Sequence, residues 1–555
     1  MNKAFMEICE IKGNPFETDC TVGFVSPSGK TITVDAFYDG GVIWRARLFL
    51  SEEGEWNWRS YCPKVPGLDG HCGKIMAESS NLRGMLRKCP DNPRQWKTDD
   101  GKWFLNVSDT AYFLFHPRET MWKEYVRDLT ELGVTSARCA ALGGEIWDEG
   151  CDEGDEGVVE GIKDVTNYES HCHVYNFYPW DKKDISRLNL QRFQTTDERL
   201  AWMLDNHPDI YVQLILIGSK LGEGGDGTGK VWKEVPEKIR IYLLKYMLAR
   251  WAAFPQIFWQ TIHDIGCSTE YPNNQALIRE VGNYFAAHDP WQHLLSVGPC
   301  RYADFPFITE EDLKWVSYIC VEDSEALDAQ VIDKYAGYPF HVFLGEDRYE
   351  QYERLNINRP EYYIYNPQYY YRWLFWSWLL SGGSANYAGR WATIHPYFRT
   401  GSLVYWEPGR DKMVDYHEEL RGLHSIRYIK DFFENRGISL EQFLPDHRIA
   451  TDADKREKNG YIKLMRKGYE EFIIYHPNAY RTGTKALPDE NRHASLYVDF
   501  IINIFFGLPV SYDVEWYRPA DGESVKGGQI GGNGRIKFVA PWKGTDAVLY
   551  LIKRI

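Results

Sequence analysis

No run in this sequence approaches the roughly 18 apolar residues that cross a bilayer as a helix, so it offers no membrane anchor of that kind. Basic residues are in deficit: 64 Lys and Arg stand against 79 Asp and Glu, a net charge of −15. Nucleic acid and anionic membrane surfaces are bound through a basic face, and neither is expected as a partner. A polyanionic substrate stays open, because a local basic pocket can sit in an acidic whole. The 11 cysteines are odd in number and scattered, with no CxxC pair. No metal and no other cofactor is therefore expected. The first ten residues, Met1 to Glu10, lack the apolar stretch of a signal peptide, which points to a cytoplasmic protein with reduced thiols. Had a leader been removed from a secreted protein, Cys62 and Cys72 could pair. There is also no internal repeat, no long disordered linker, and no glycine-rich phosphate turn of the kind that opens a doubly wound nucleotide-binding sheet.

Hydrophobic residues make up 44% of the 555 positions, enough for a full core and more than one domain. Aromatics reach 15%, with 21 Trp, 37 Tyr and 27 Phe. Rings stack on the C–H faces of sugars, but they also fill β-sandwich cores, so the excess alone does not choose between the two.

The patterning divides the chain in three. Residues 1–95 read as a small β-sandwich, with Thr31–Gly41, Val42–Leu50 and Gly54–Arg59 as strands between glycine turns. Residues 96–435 alternate strand and helix. Strands are expected at Trp103–Val107, Val134–Cys139, Ile210–Gly218, Gln256–Asp264, Leu294–Val297, Trp315–Cys320, Pro339–Glu346 and Ser384–Ala388. Helices are expected at Met121–Leu132, Thr196–Asn206, 236–253 and Tyr370–Leu380. Eight strands with helical segments between most of them predict a (β/α)8 barrel of the α/β class. Residues 436–555 return to β-pattern and predict a C-terminal sandwich. Assembly into a homo-oligomer stays open.

Two of the barrel strands end in acids. Phe340–Leu344 is an apolar run closed by Gly345-Glu346, and Ile257–Ile262 is closed by His263-Asp264. Buried parallel strands read as continuous apolar runs, and barrel chemistry sits at their C-terminal ends. Paired carboxylates there suit glycosidic bond cleavage, one as acid/base and one as nucleophile or base. The plainer alternatives are that Asp264 caps the next helix and that Glu346 only pairs with an arginine.

Two stretches carry a family resemblance. Lys102-Trp103-Phe104-Leu105-Asn106-Val107-Ser108-Asp109-Thr110-Ala111-Tyr112 resembles the opening strand of apiosidase-like glycoside hydrolases of clan A. Trp376-Ser377-Trp378 through Gly382-Gly383-Ser384-Ala385-Asn386-Tyr387-Ala388-Gly389 resembles their last barrel strand. The N-terminal sandwich is similar to the β-domain that precedes such barrels. The C-terminal part, with Val514–Pro519 and Phe538–Pro541, is similar to their terminal β-domain. The resemblance implies a glycosidase acting on an oligosaccharide or glycoside, with residue roles following by position: Glu346 as nucleophile and Asp264 as acid/base, with retention. Much of the clan has an Asn-Glu acid/base where this chain has His263-Asp264; an aspartate also occurs among the apiosidase-like enzymes, and Glu270 is the fallback. Arg138 matches a clan arginine that holds the nucleophile ionised, or else forms a surface salt bridge. Asp109 is a candidate for sugar hydroxyls or a cap, and Tyr318 a donor to Glu346 or a core residue. Tyr387 and Trp391 are candidates for the sugar platform, and His263 orients Asp264, binds a hydroxyl, or sits in the core.

The acidic stretch Glu145–Glu156 and the aromatic one at Tyr175–Asp181 follow the second strand. The first reads as a solvated insertion, a Ca²⁺ site or a lid, and the second could wall the pocket. Two rival readings stand beside the glycosidase. One is a non-catalytic carbohydrate-binding protein on a barrel scaffold, and the other a metal-dependent hydrolase using the acidic loop.

Overall fold

The structure is a computed structural model that describes residues 2–115, 122–142, 179–181, 184–218, 227–301, 303–323, 327–348, 350, 364–388, 421–455, 461–500 and 510–554. The acidic stretch 145–156, most of 175–181, and Trp391 lie outside the described residues.

At the centre is a parallel eight-stranded sheet with strands β1 (Val107–Thr110), β2 (Ser136–Ala140), β3 (Tyr211–Ile217), β4 (Ile257–Ile262), β5 (Leu295–Ser296), β6 (Ile319–Glu322), β7 (Val342–Glu346) and β8 (Ser384–Tyr387). They pair in the order β5-β4-β3-β2-β1-β8-β7-β6. Between β5 and β6 the ring is bridged by the Ser317 N–H donating to the Leu295 carbonyl at 2.8 Å. The expected barrel is thus present. Its strands are apolar on both faces because each is covered by helices outside and by the other strands inside.

The helices around it are α1 (Trp122–Glu131), α2 (Leu190–Asn206), α3 (Gly227–Glu234), α4 (Glu237–Trp251), α5 (Pro272–His288), α6 (Val331–Lys334), α7 (Pro367–Leu380) and α8 (Arg421–Arg436). Twelve of the fourteen residues of α7 are buried, which explains a helix that is aromatic all round. It lies between the barrel and the C-terminal β-structure. There Trp376 stacks on Tyr475 with centroids 6.1 Å apart, and Arg372 pairs with buried Asp546 at 2.8 Å.

The first expected strand is placed differently. Trp103–Phe104 belongs to a separate three-stranded antiparallel sheet with Leu86–Lys88 and Trp96–Thr98, and the barrel starts at Val107. This sheet plugs the barrel floor. Trp96 lies with its ring centroid 5.6 Å from Phe258, 5.4 Å from Tyr318 and 4.3 Å from His341. Local apolar pattern could not separate plug from barrel, because both are short buried strands joined by two residues.

Before the plug, antiparallel sheets of three and four strands form the N-terminal β-structure. Six-stranded and three-stranded sheets form the C-terminal one around the core of Leu464, Phe472, Leu496, Tyr512 and Leu549. The N-terminal unit is pinned to the barrel by ions. Buried Arg250 of α4 reaches Asp39 at 2.9 Å and also pairs with Asp197, which Arg47 joins at 2.6 Å. Cys62 and Cys72 are both free thiols, the first buried and the second exposed, so the pairing expected of a secreted form is not made. Among the described residues, no helix is long and apolar enough to cross a membrane.

Candidate active site

β7 ends in Leu344-Gly345-Glu346. Gly345 is required by close packing: a Cβ there would lie 2.5 Å from Cys320 Sγ and 3.7 Å from Arg138 Nε. The first distance is a clash and the second an ordinary contact, so it is the packing of β7 on Cys320 of β6 that calls for glycine. Glu346 is 3% exposed. Its Oε2 accepts from the Tyr112 hydroxyl at 2.8 Å and from Arg138 Nη1 at 3.2 Å, and its Oε1 accepts from Arg301 Nη2 at 2.8 Å. Tyr112 lies on the 3₁₀ turn Tyr112–Phe115 that follows β1, and Arg301 follows β5.

The Arg138 guanidinium is the hub. Besides Glu346 it donates to the Tyr112 oxygen at 2.6 Å, to His263 Nδ1 at 2.5 Å and to Glu322 Oε1 at 3.0 Å. A guanidinium only donates, so Nδ1 of His263 is the acceptor and the ring proton sits on Nε2. That nitrogen faces the Tyr112 oxygen at 2.8 Å. Burial, and then the charges of Arg138 and Arg301, push the His263 pKa well below its ordinary value and keep the ring neutral.

Glu322 reaches the site through an irregularity. The register between β6 and β7 shifts between Val321 and Glu322, which sets Glu322 directly beside Glu346. Such bulges re-aim side chains at barrel rims. Glu322 is 2% exposed. Burial, followed by the charges of Glu346 and Asp264, raises its pKa well above the carboxylate range. Ligand atoms of His263, Glu322 and Glu346 lie within 4.8 Å of one another, a spacing that would suit a metal ion. The positive charge bonded to all three is Arg138, so a guanidinium already fills the role a cation would have there.

Asp264 follows β4 with φ at +49°. This left-handed conformation is one aspartate tolerates better than most residues, and such backbones cluster at functional sites. Burial raises the Asp264 pKa to about 6. The charge of Glu346 adds to the rise, and Arg301 and Arg138 oppose it. One rim therefore holds two carboxyls in unlike settings, one bound by two guanidiniums and a phenol, the other desolvated with a raised pKa.

The remaining expected residues are placed elsewhere. Side chains alternate along a strand, so Arg138 points inward and Ala137 outward, and Asp109 and Tyr387, which lie in one register row with Ala137, point outward with it. Asp109, inside β1 rather than after it, accepts from Tyr125 of α1 at 2.6 Å, which puts it between strand and helix and away from any sugar. Tyr387 also faces outward. Its ring packs on Tyr371 of α7 at 4.6 Å and its hydroxyl donates to Glu350 at 2.6 Å, so it is not a platform. Tyr318 lies on the barrel floor against Trp96, donating to the Trp259 carbonyl at 2.9 Å. The bond to Glu346 expected of it is made by Tyr112 instead. Glu270 is exposed in the turn before α5.

Tyr387→Phe is expected to cost about 1–2 kcal/mol in urea unfolding, because buried Glu350 loses a donor, and to leave KM unchanged. A raised KM with unchanged stability would return Tyr387 to the substrate.

Three members of the site were not legible beforehand. Tyr112 was quoted within the opening motif but carries no local mark of a role. Glu322 was missed because the sixth strand was expected to end at Cys320, two residues early. Arg301 lies on a loop without periodicity.

The fold agrees with comparisons to known proteins. Residues 90–438 match the apiosidase-like catalytic domain family, and residues 5–63 match a domain family of unknown function, DUF5060. The first match spans more than half of the chain, which therefore belongs to the apiosidase-like family. No curated protein matches it in sequence. Among solved structures, a candidate glycoside hydrolase from Bacteroides vulgatus ATCC 8482 is 15% identical with a TM-score of 0.67, covering 100% of this chain and 98% of its own. A glycoside hydrolase family 5 protein from the same organism is 14% identical with a TM-score of 0.57, covering 85% of this chain and 94% of its own. At these identities the likeness concerns the fold.

Proposed function

We propose that this protein is a retaining glycoside hydrolase acting on a glycoside or short oligosaccharide, with Glu346 as nucleophile and Asp264 as acid/base. The observation that carries this reading is the pairing, at the ends of β4 and β7, of a carboxyl raised to about 6 with a carboxylate held by Arg138, Tyr112 and Arg301. Unlike settings for two carboxyls are how such sites divide acid from nucleophile.

In the first step Glu346 attacks the anomeric carbon, the glycosidic C–O bond breaks, and the Asp264 proton passes to the departing oxygen. In the second, Asp264 takes a proton from water, the water oxygen attacks the anomeric carbon, and Glu346 leaves as carboxylate. Arg138 and Tyr112 hold the deep oxygen of Glu346 in place through both steps.

The sign of the pH dependence follows. Bond cleavage needs protonated Asp264, so kcat/KM on an activated aryl glycoside is expected to fall above pH about 6, by roughly tenfold per unit. Asp264→Asn is expected to lose that alkaline limb together with about 10²–10⁴-fold of rate. A panel of aryl glycosides assayed from pH 4 to 9, with proton NMR of the first anomer released, tests both the roles and the stereochemistry. Full activity in the Asp264 variant, or release of the inverted anomer, overturns the assignment.

A further inference from the structure

We propose that Arg301 is a positioning residue that covers the attacking oxygen of Glu346 in the empty site and yields it to the sugar. The inference rests on the reading of Glu346 as nucleophile. The two oxygens of Glu346 are held in different ways. Oε2 is bound from inside the barrel by Tyr112 and Arg138, both 0% exposed. Arg138 is itself tied to Glu322 and His263. That oxygen cannot turn to a substrate without breaking the hub. Oε1 faces outward, and its donor is Arg301, whose side chain is 20% exposed. The oxygen free to attack is therefore the one that Arg301 holds.

Arg301 is built to let go without leaving. Its Nη1 donates to the Asp347 carbonyl at 3.0 Å while Nη2 holds Oε1. Release of Oε1 thus leaves the guanidinium tethered at the rim. The segment that carries it is also fixed to the turn that carries Asp264: the Cys300 N–H donates to the Ile265 carbonyl at 3.0 Å, and Ile265 bridges to Pro299. One cation therefore stands between the loops of both carboxyls, and it opposes the rise in the Asp264 pKa. When a sugar ring enters and Oε1 turns to its anomeric carbon, Nη2 exchanges Oε1 for another acceptor. A sugar hydroxyl oxygen is the group at hand, so Arg301 contributes to substrate binding as well as to shielding.

Shielding can be read without a substrate. The intact protein is treated at pH 5 with a water-soluble carbodiimide and glycine ethyl ester, and labelled carboxyls are mapped by mass spectrometry. Loss of a charge-assisted bond is expected to speed Glu346 labelling roughly tenfold or more in Arg301→Met, with Arg301→Lys between it and the parent. Labelling of buried Glu322 and exposed Glu131 is expected to stay at the parent rate. Unchanged Glu346 labelling in Arg301→Met overturns the proposal. So does a matching rise at Glu322, which would mean a loosened barrel. On whichever aryl glycoside the parent cleaves, KM is expected to rise more than kcat falls in Arg301→Met; an unchanged KM removes the substrate-binding half of the proposal. Full activity in Glu346→Gln would remove the nucleophile reading while leaving the labelling result to stand on its own.

Discussion

Glu346→Gln is expected to lose turnover on any aryl glycoside the parent cleaves by on the order of 10⁴-fold or more, as removal of a nucleophile does. The amide keeps the size of the side chain but cannot form the covalent intermediate. It also meets the wrong partners, since Oε2 faces two donors and Oε1 a third. Whichever way the amide turns, its NH₂ points at a donor. A loss of about 1–3 kcal/mol in stability accompanies the substitution, too small to account for the lost rate. Chemical rescue separates chemistry from folding. In Glu346→Ala, azide in the vacated space is expected to restore turnover and to leave a glycosyl azide of inverted configuration. Activity in Glu346→Gln within tenfold of the parent would end the assignment and favour a site whose chemistry lies elsewhere on the rim.

Arg138→Met is expected to destabilise the barrel by about 3–5 kcal/mol, the range for removing one partner of a buried ion pair. Methionine fills part of the space but leaves Glu346 and Glu322 side by side, each at most 3% exposed and without their shared cation. In the variant Arg138 no longer opposes the burial and the Glu346 charge that raise the folded-state pKa of Glu322 above the roughly 4.3 of an unfolded glutamate. Stability is then fully present below pH about 4 and falls as pH rises through the raised value. Urea unfolding at pH 5 and pH 8 is expected to show the larger deficit at pH 8, and Glu322→Gln in the Arg138→Met background to recover part of it. A deficit that is equal at both pH values would mean that Arg138 acts by packing alone. Arg138→Lys is expected to be a poor substitute, because a single ammonium cannot bond two carboxylates, a phenol and an imidazole at once.

Much of this architecture was legible because its signals are local. The runs Tyr211–Ile217, Ile257–Ile262 and Val342–Glu346 are largely apolar and bounded by turns, and each forms a barrel strand within one to three residues of its expected limits. The acids that end or follow two of these runs were legible for the same reason. Arg138 came from the family resemblance, as the arginine at the end of the second strand. The errors were of another kind. Asp109 and Tyr387 lie on strands that reach the rim, but a side chain on such a strand points either inward or toward the helices. Their contacts with Tyr125 and Tyr371 are outward ones.

By itself, then, the sequence determined the barrel, the rim and the two acids on it, because strand length, period and terminal charge are written in consecutive residues. Only the tertiary structure decided what surrounds Glu346. Tyr112 is separated from it by 234 positions and Arg301 by 45, and a register shift brings Glu322 alongside it. Contacts made by closing a ring leave no period in the chain. They follow from which faces meet when the first strand is laid beside the last.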